Sequence, residues 1–332
     1  MSNLIIIGNA INKNWPFKKG LEDGSGEKWE VRTCTTNKFN GVNKYTRYLK
    51  YFSVPFSVFL NRKKYEKIVT WDQFFGLVLA CYMRFFKVKK TPDIYAMAFI
   101  YRPKHGLVRK IYEKFVRYAI TSGKLKKVIL FSDSEAEYYA NFFNVSKTLF
   151  ISETLGVEDV AEKYNHTVDN NETYYVSPGR SNRDYDSLYD AWPQDEDNLY
   201  IICDTRKEND KSNVIHKRDC HGEEYLKAIS KAKAVIIPLL DEKVSSGQLV
   251  FEHAAMFGKP VIVSENNTLE RYIENNKTGF IIPKTKEALI DAVSRLKDEE
   301  TYKEMSKNAR KKFEADFNVY NLGKRIGEIT NA

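Results

Sequence analysis

SSGQLVFEHAAMFGKPVIV, residues 245–263, reads as a turn, a short helix, a second turn and a strand. Ser245, Ser246 and Gly247 form the first turn, and an almost wholly apolar run follows from Leu249 to Phe257. Gly258-Lys259-Pro260 stops the helix, and Val261-Ile262-Val263 begins a β-branched strand. Gln248 and Glu252 stand four apart, so they share one helix face, with Ser245 about one turn further back. Free amides and the positive end of the helix dipole make such a turn an anion site. Hydroxyls add donors, and Gly247 lets an anion approach the backbone closely. A carboxylate one turn in is wrong for phosphate but suits a diol such as a ribose, and the pair describes a nucleoside diphosphate. The plain alternative is an N-cap serine and a glutamate that reaches solvent.

Outward from this stretch, strand-like and helix-like runs alternate. In the first half strands are expected near Leu4–Ile7, Trp29–Thr33, Lys67–Thr70, Ile94–Phe99, Val128–Phe131 and Thr148–Ile151, with helices over Gln73–Phe86, Leu107–Ile120 and Ser134–Phe143. After about residue 157 the alternation restarts, from Tyr174–Ser177 through Val235–Leu239 to Lys286–Leu296. Such alternation implies parallel sheets covered by helices, and two successive sets imply two doubly wound domains. The 332 residues suffice for two cores.

The net charge of +9 is unevenly spread. Residues 1–150 hold 27 Lys/Arg against 11 Asp/Glu, or +16, which leaves 26 against 33, or −7, for residues 151–332. One half therefore faces something anionic. In the helix at 107–120, Val108, Ile111, Tyr112, Phe115 and Ala119 form an apolar stripe expected to be core, with Arg109, Lys110, Lys114 and Arg117 facing away. Lys124, Lys126 and Lys127 extend the charge. No nucleic-acid motif accompanies it, so an anionic membrane surface is the expected partner, and nucleic acid is not. Cys34, Cys81, Cys203 and Cys220 form no metal or disulfide spacing, which suits a reducing cytoplasm. The start, MSNLIIIGNA, reads as a first strand and not a signal peptide, and no apolar run is long enough to span a bilayer. The expected place is the cytoplasm, peripheral to the inner face of the plasma membrane.

FEHAAMFGKPVIV resembles the second half of a Glu-x7-Glu pattern in the retaining glycosyltransferases of family 4 and related bacterial polysaccharide glycosyltransferases, which have the GT-B fold. The match makes Glu252 the ribose ligand. Val244 occupies the place of the first glutamate, which contacts the donor sugar; Glu242 is out of register, and SSGQ looks like a bacterial variant. PGRSNRDYDSLYDAW, residues 178–192, resembles the family's Gly-Arg turn, so Gly179, Arg180 and Arg183 are expected to hold the diphosphate. Arginine suits bidentate phosphate contact. NNKTGFIIP, KTKEALIDAVSRL and NARKKFEADFNVYNLGKRIGEI match the family's tail, whose last helix crosses back to the first domain. FSDSEAEYYANFF and ISETLGVED resemble the end of that domain.

The resemblance implies an α/β GT-B chain of two Rossmann-like domains facing a cleft: residues 1–157 for the acceptor, 158–312 for a nucleotide-sugar, and 313–332 as the crossing helix. The donor, UDP-linked, is placed on Gly179, Arg180, Arg183, Ser245, Ser246, Gly247, Gln248 and Glu252, with the base near Ile215 and His216. The implied chemistry is retaining transfer to a glycan or lipid-linked oligosaccharide in cell-surface polysaccharide synthesis, without a metal or other cofactor. Arg180 and Arg183 would meet charge developing on the phosphate. Asp72, after a predicted strand, is a third catalytic candidate. Gly8, Asn9, Tyr101, Arg102, Lys104 and His105 are acceptor-side candidates. Asp184-Tyr185-Asp186 has a metal-binding form but opens a helix, where acidic residues favour the dipole. The rival reading is a GT-B-shaped binding protein or partner subunit without catalysis, for which the missing first glutamate argues.

Overall fold

The computed structural model describes residues 1–36, 43–101, 106–164, 173–205, 211–242, 246–266, 269 and 271–332, with Lys44 and Leu107 described by backbone alone. The chain divides into two compact units, Met1–Glu153 with Leu322–Ala332, and Thr154–Asn321. The divisions fall four and nine residues from the boundaries expected at 157/158 and 312/313.

The first unit runs β1 (Ser2–Ile7), α1 (Pro16–Ser25), β2 (Trp29–Thr33), α2 (Lys44–Leu60), β3 (Tyr65–Thr70), α3 (Gln73–Phe85), β4 (Asp93–Ala96), α4 (Gly106–Ile120), β5 (Leu125–Leu130), α5 (Asp133–Phe143) and β6 (Phe150–Ser152). Its strands form one parallel sheet in the order β2-β1-β3-β4-β5-β6. Runs such as Leu4–Ile7 and Val128–Leu130 are buried on both faces, as a sheet sandwiched by helices requires. The order reverses between β1 and β3, so the carboxyl ends of those strands frame the crevice where doubly wound sheets bind ligands.

The second unit runs α6 (Ala161–Tyr164), β7 (Tyr174–Pro178), α7 (Tyr185–Ala191), β8 (Asn198–Ile202), β9 (Val214–Lys217), α8 (Glu223–Lys231), β10 (Ala234–Ile237), α9 (Gln248–Met256), β11 (Val261–Ser264), β12 (Gly279–Ile282), α10 (Lys286–Arg295) and α11 (Glu299–Lys312). The parallel order is β12-β11-β10-β7-β8-β9, so the reversal falls between β7 and β10. A π turn over Phe313–Phe317 leads to α12 (Val319–Asn331), most of which belongs to the first unit. There the Tyr95 hydroxyl donates to the Thr330 carbonyl, and Arg325 pairs with Glu153 at 2.7 Å.

Two expectations change. Helix α2 has no counterpart among the predicted elements. Its sequence carries two apolar faces and an internal Pro55, so it does not read as an ordinary one-sided amphipathic helix. The stripe on α4 is only partly core: Val108 is 63% exposed and Ile111 71%. The helix seats itself through Ala119 of that stripe with Val116 and Ile120, and Tyr112 and Phe115 pack partly against the core. Arg117 also turns inward, donating to the Phe142 and Phe143 carbonyls at the end of α5, where the helix dipole favours a cation.

Candidate active site

At the switch point of the second unit, the loop after β7 lies against the loop after β10. The Asp184 amide donates to the Pro238 carbonyl at 2.8 Å, and Arg183 bridges to Leu239. This places the Arg183 guanidinium beside the start of α9. Its Nη1 donates to Ser246 Oγ at 3.3 Å and to the Ser181 carbonyl at 2.9 Å, and its Nε to the Pro178 carbonyl at 3.3 Å. Gly179 and Gly247 make the space. Both have positive φ (126° and 96°), and a Cβ on either would meet the guanidinium at 2.9 and 3.3 Å. Tyr185 locks the turn by donating to the Gly179 carbonyl at 2.7 Å.

Among the described residues, no carboxylate lies within ion-pair distance of Arg183. Burial pulls its basicity below the ordinary arginine value, with the hydroxyls of Tyr185 and Tyr225 as mild counterweights. A half-buried cation held by neutral oxygens, next to a helix N-terminus, gains most from an anion. Arg180 stands exposed beside it. Gln248 is half-buried in the first turn of α9. Ser245 lies outside the described residues.

Glu252 does not stand in an open turn. It is 0% exposed, on a helix whose Phe251, Ala254, Ala255 and Met256 are buried as well. Ile215 and His216 lie on β9, the sheet's edge strand, two strands away from β7. Ile215 packs against the core, and His216 Nε2 bonds the Cys203 carbonyl.

Two residues absent from the sequence reading border the site. Tyr225 on α8 shares a hydrogen bond with His253 Nδ1 on α9 at 3.2 Å, and burial holds His253 at a pKa of about 4. Tyr225 occupies an ordinary amphipathic helix, and nothing in its spacing points to a site.

In the first unit, Gly8 follows β1 and Asp72 follows β3, so both sit at the other switch point. The Gly8 amide donates to Asp72 Oδ2 at 2.7 Å. A Cβ on residue 8 would lie 2.3 Å from Thr36 Oγ1 and 2.6 Å from the carboxylate, so only glycine fits. Burial raises the Asp72 pKa, partly offset by the Gly8 amide. Asn9 is exposed beside them. Tyr101 is corrected: it is buried, its ring stacked on Tyr112 at 5.6 Å and its amide donating to the Tyr139 hydroxyl at 3.0 Å. An aromatic ring completes the core there. Arg102, Lys104 and His105 lie outside the described residues.

Asp184 caps α7, accepting from the Ser187 amide at 3.1 Å and hydroxyl at 2.8 Å. Asp204, Asp219 and His221 are the metal-ligand-type cluster among the described residues. His221 Nε2 lies 3.3 Å from Asp204 Oδ2, and the Asp219 amide donates to Asp204 Oδ1 at 3.1 Å.

Two doubly wound parallel sheets, each with candidate residues at its switch point, give the chain an α/β fold of the GT-B type. Residues 157–312, nearly all of the second unit, match the family model described as glycosyl transferases group 1. No curated protein sequence matches the chain. Among solved structures it is similar to sucrose-phosphate synthase from Thermosynechococcus elongatus (16% identity, 100% of this chain and 98% of that chain, TM-score 0.65). It is similar to HepE from Anabaena, solved in complex with UDP (13%, 100% and 100%, 0.64). It is also similar to WaaG, a glycosyltransferase involved in lipopolysaccharide biosynthesis (13%, 98% and 99%, 0.61).

Proposed function

We propose that the protein moves a sugar from a UDP-sugar to a hydroxyl of a glycan or lipid-linked oligosaccharide in cell-surface polysaccharide synthesis. The observation that carries this is the Arg183 guanidinium, held half-buried beside Ser246 and Gly247 with only neutral partners among the described residues. Complexes of HepE with UDP and with UDP-glucose support a nucleotide-sugar donor, and the role of WaaG supports a glycan-assembly setting.

As the sugar leaves, negative charge grows on the distal phosphate. Arg183 and the first amides of α9 are fixed donors, with the exposed Arg180 three residues before Arg183 assigned to the same charge, so no cofactor is assigned and the reaction is metal-independent. Retention of configuration follows from the resemblance to family 4. Asp72, aligned by the Gly8 amide, accepts the hydrogen bond of the acceptor hydroxyl. Glu252 is assigned to the ribose. The basic first unit rests on an anionic membrane at its cytoplasmic face, each cation near the surface contributing about 1 kcal/mol.

Calorimetric titration with UDP tests the donor site. Wild-type protein should bind, and Arg183→Ala should weaken binding and lower kcat about a hundredfold, by analogy with loss of an oxyanion donor. Equal UDP affinity in both proteins rejects the site. Loss of turnover in EDTA, restored by magnesium or manganese, rejects the metal-free assignment.

A further inference from the structure

Helix α2 is apolar on two sides, and the core uses one. Val54, Val58 and Phe59 are buried. Tyr45, Leu49, Phe52, Phe56 and Leu60 recur every three or four residues and form a second stripe facing out. Leu49 is 68% exposed, Leu60 61% and Phe52 51%. Scattered apolar side chains are normal on a surface, but a stripe running the length of a helix is not. On the neighbouring helix, Val108 and Ile111 of α4 are exposed as well. Between them lies a cavity of about 630 Å³ walled by Tyr48 and Phe52 of α2, Phe74 and Val78 of α3, and Ile111 and Phe115 of α4.

We propose that this face enters the acyl region of an anionic bilayer, with a lipid hydrocarbon chain seated in the groove between α2 and α4. The charge around it selects that occupant. Residues 43–64 carry Lys44, Arg47, Lys50, Arg62, Lys63 and Lys64 and no acidic residue. Arg109, Lys110 and Lys114 are exposed on α4. Aromatic and aliphatic residues flanked by cations are the composition of a helix lying in a negatively charged interface. Tyr51 joins the groove to the first unit's switch point: its ring lines the cavity and its hydroxyl bonds the Thr36 side chain near Asp72. The inner end of a seated chain therefore lies close to the Gly8–Asp72 pair. The inference deepens the membrane reading above and replaces a purely electrostatic contact with an inserted one.

Flotation with phosphatidylglycerol–phosphatidylcholine vesicles tests it, alongside UDP titration of the same samples. Wild-type protein should bind these vesicles above phosphatidylcholine alone and stay partly bound at about 1 M salt, where screening acts beyond roughly 3 Å. Ile111→Trp should be quenched by lipids brominated on their acyl chains. The double variant Phe52→Glu, Ile111→Glu should partition about a hundredfold more weakly, with melting and UDP affinity unchanged. Wild-type binding by the double variant overturns the proposal, as does complete release by salt with no quenching. A lipid-free dimer in sedimentation that the double variant splits overturns it too, by making a second copy the occupant. Since UDP is read separately, failure of the groove leaves the donor site standing, and absence of UDP binding leaves the groove result intact.

Discussion

Arg183 and His253 show how little a residue's type says before its surroundings are known. Four neutral oxygens hold Arg183, from Pro178, Ser181, Asn182 and Ser246, and two glycines leave room for its guanidinium. Gly247→Ala would press a methyl against the Phe251 ring at 3.2 Å and the guanidinium at 3.3 Å, on a backbone whose φ of 96° disfavours any side chain. UDP affinity should fall without Arg183 itself being touched, and isothermal titration reads it directly. Unchanged affinity would mean the turn does not shape the anion site. His253 makes a second prediction. Its pKa of about 4 lies below the usual 6.5, so folding favours the neutral ring. The unfolded chain binds the extra proton between those values, and stability contributed above pH 6.5 is lost as pH falls towards 4. Between pH 7 and pH 5 the loss is about 2 kcal/mol. His253→Gln should flatten that part of the urea-midpoint profile; an unchanged slope would place the titration elsewhere.

Among elements, the pairing of α1 with α12 departs most from local propensity. Glycines cost a helix interior about 1 kcal/mol each, yet α1 carries Gly20 and Gly24 and α12 carries Gly323 and Gly327. The contact between the two helices explains three of them. A Cβ at 323 would fall 2.2 Å from the Phe17 carbonyl oxygen, one at 327 would fall 2.5 Å from that of Leu21, and one at 24 would fall 2.0 Å from that of Lys324. The backbones approach too closely for any side chain. Gly323→Ala, normally a stabilising change in a helix, should therefore destabilise the first unit by roughly 1–3 kcal/mol. Chemical denaturation followed at Trp29 and Trp71 reads this unit, and a gain in stability would show that the helices stand further apart. Helix α2 breaks the ordinary pattern differently, with one apolar stripe inside and one outside.

For the whole molecule, the cores are separate. The first unit is built around Ile68, Phe75 and Val128, and the second around Val176, Val235 and Ile262 in clusters that share no residue with the first. A ligand confined to one unit should stabilise that unit alone. Calorimetry with UDP at about a hundred times its Kd should raise one of two unfolding transitions by about 2.7 kcal/mol and leave the other in place. A single transition that moves as one would show that the units unfold together. The charge division, +16 for residues 1–150 and −7 for residues 151–332, follows nearly the same boundary. An anion-facing role therefore belongs to one unit and not to the chain at large.

Much of this was legible in the linear order of residues. Alternating β-branched runs and helical segments determine two parallel sheets, because a strand buried on both faces must be almost wholly apolar. The Gly-Arg turn and the Ser-Gly turn were legible because glycine at positive φ and arginine beside a strand end are local signals. Tertiary structure alone decided what those segments meet. Glu252 reads as a site carboxylate from its spacing, but its enclosure depends on what packs over α9. Tyr101 follows a strand as a site residue would, yet a space left by Tyr112, Tyr139 and Phe143 draws its ring into the core. That the outer stripe of α2 stays uncovered is equally undecided by sequence, since burial is a property of neighbours far along the chain. Periodicity reports which faces of an element are apolar; only the packed fold determines which of those faces is covered.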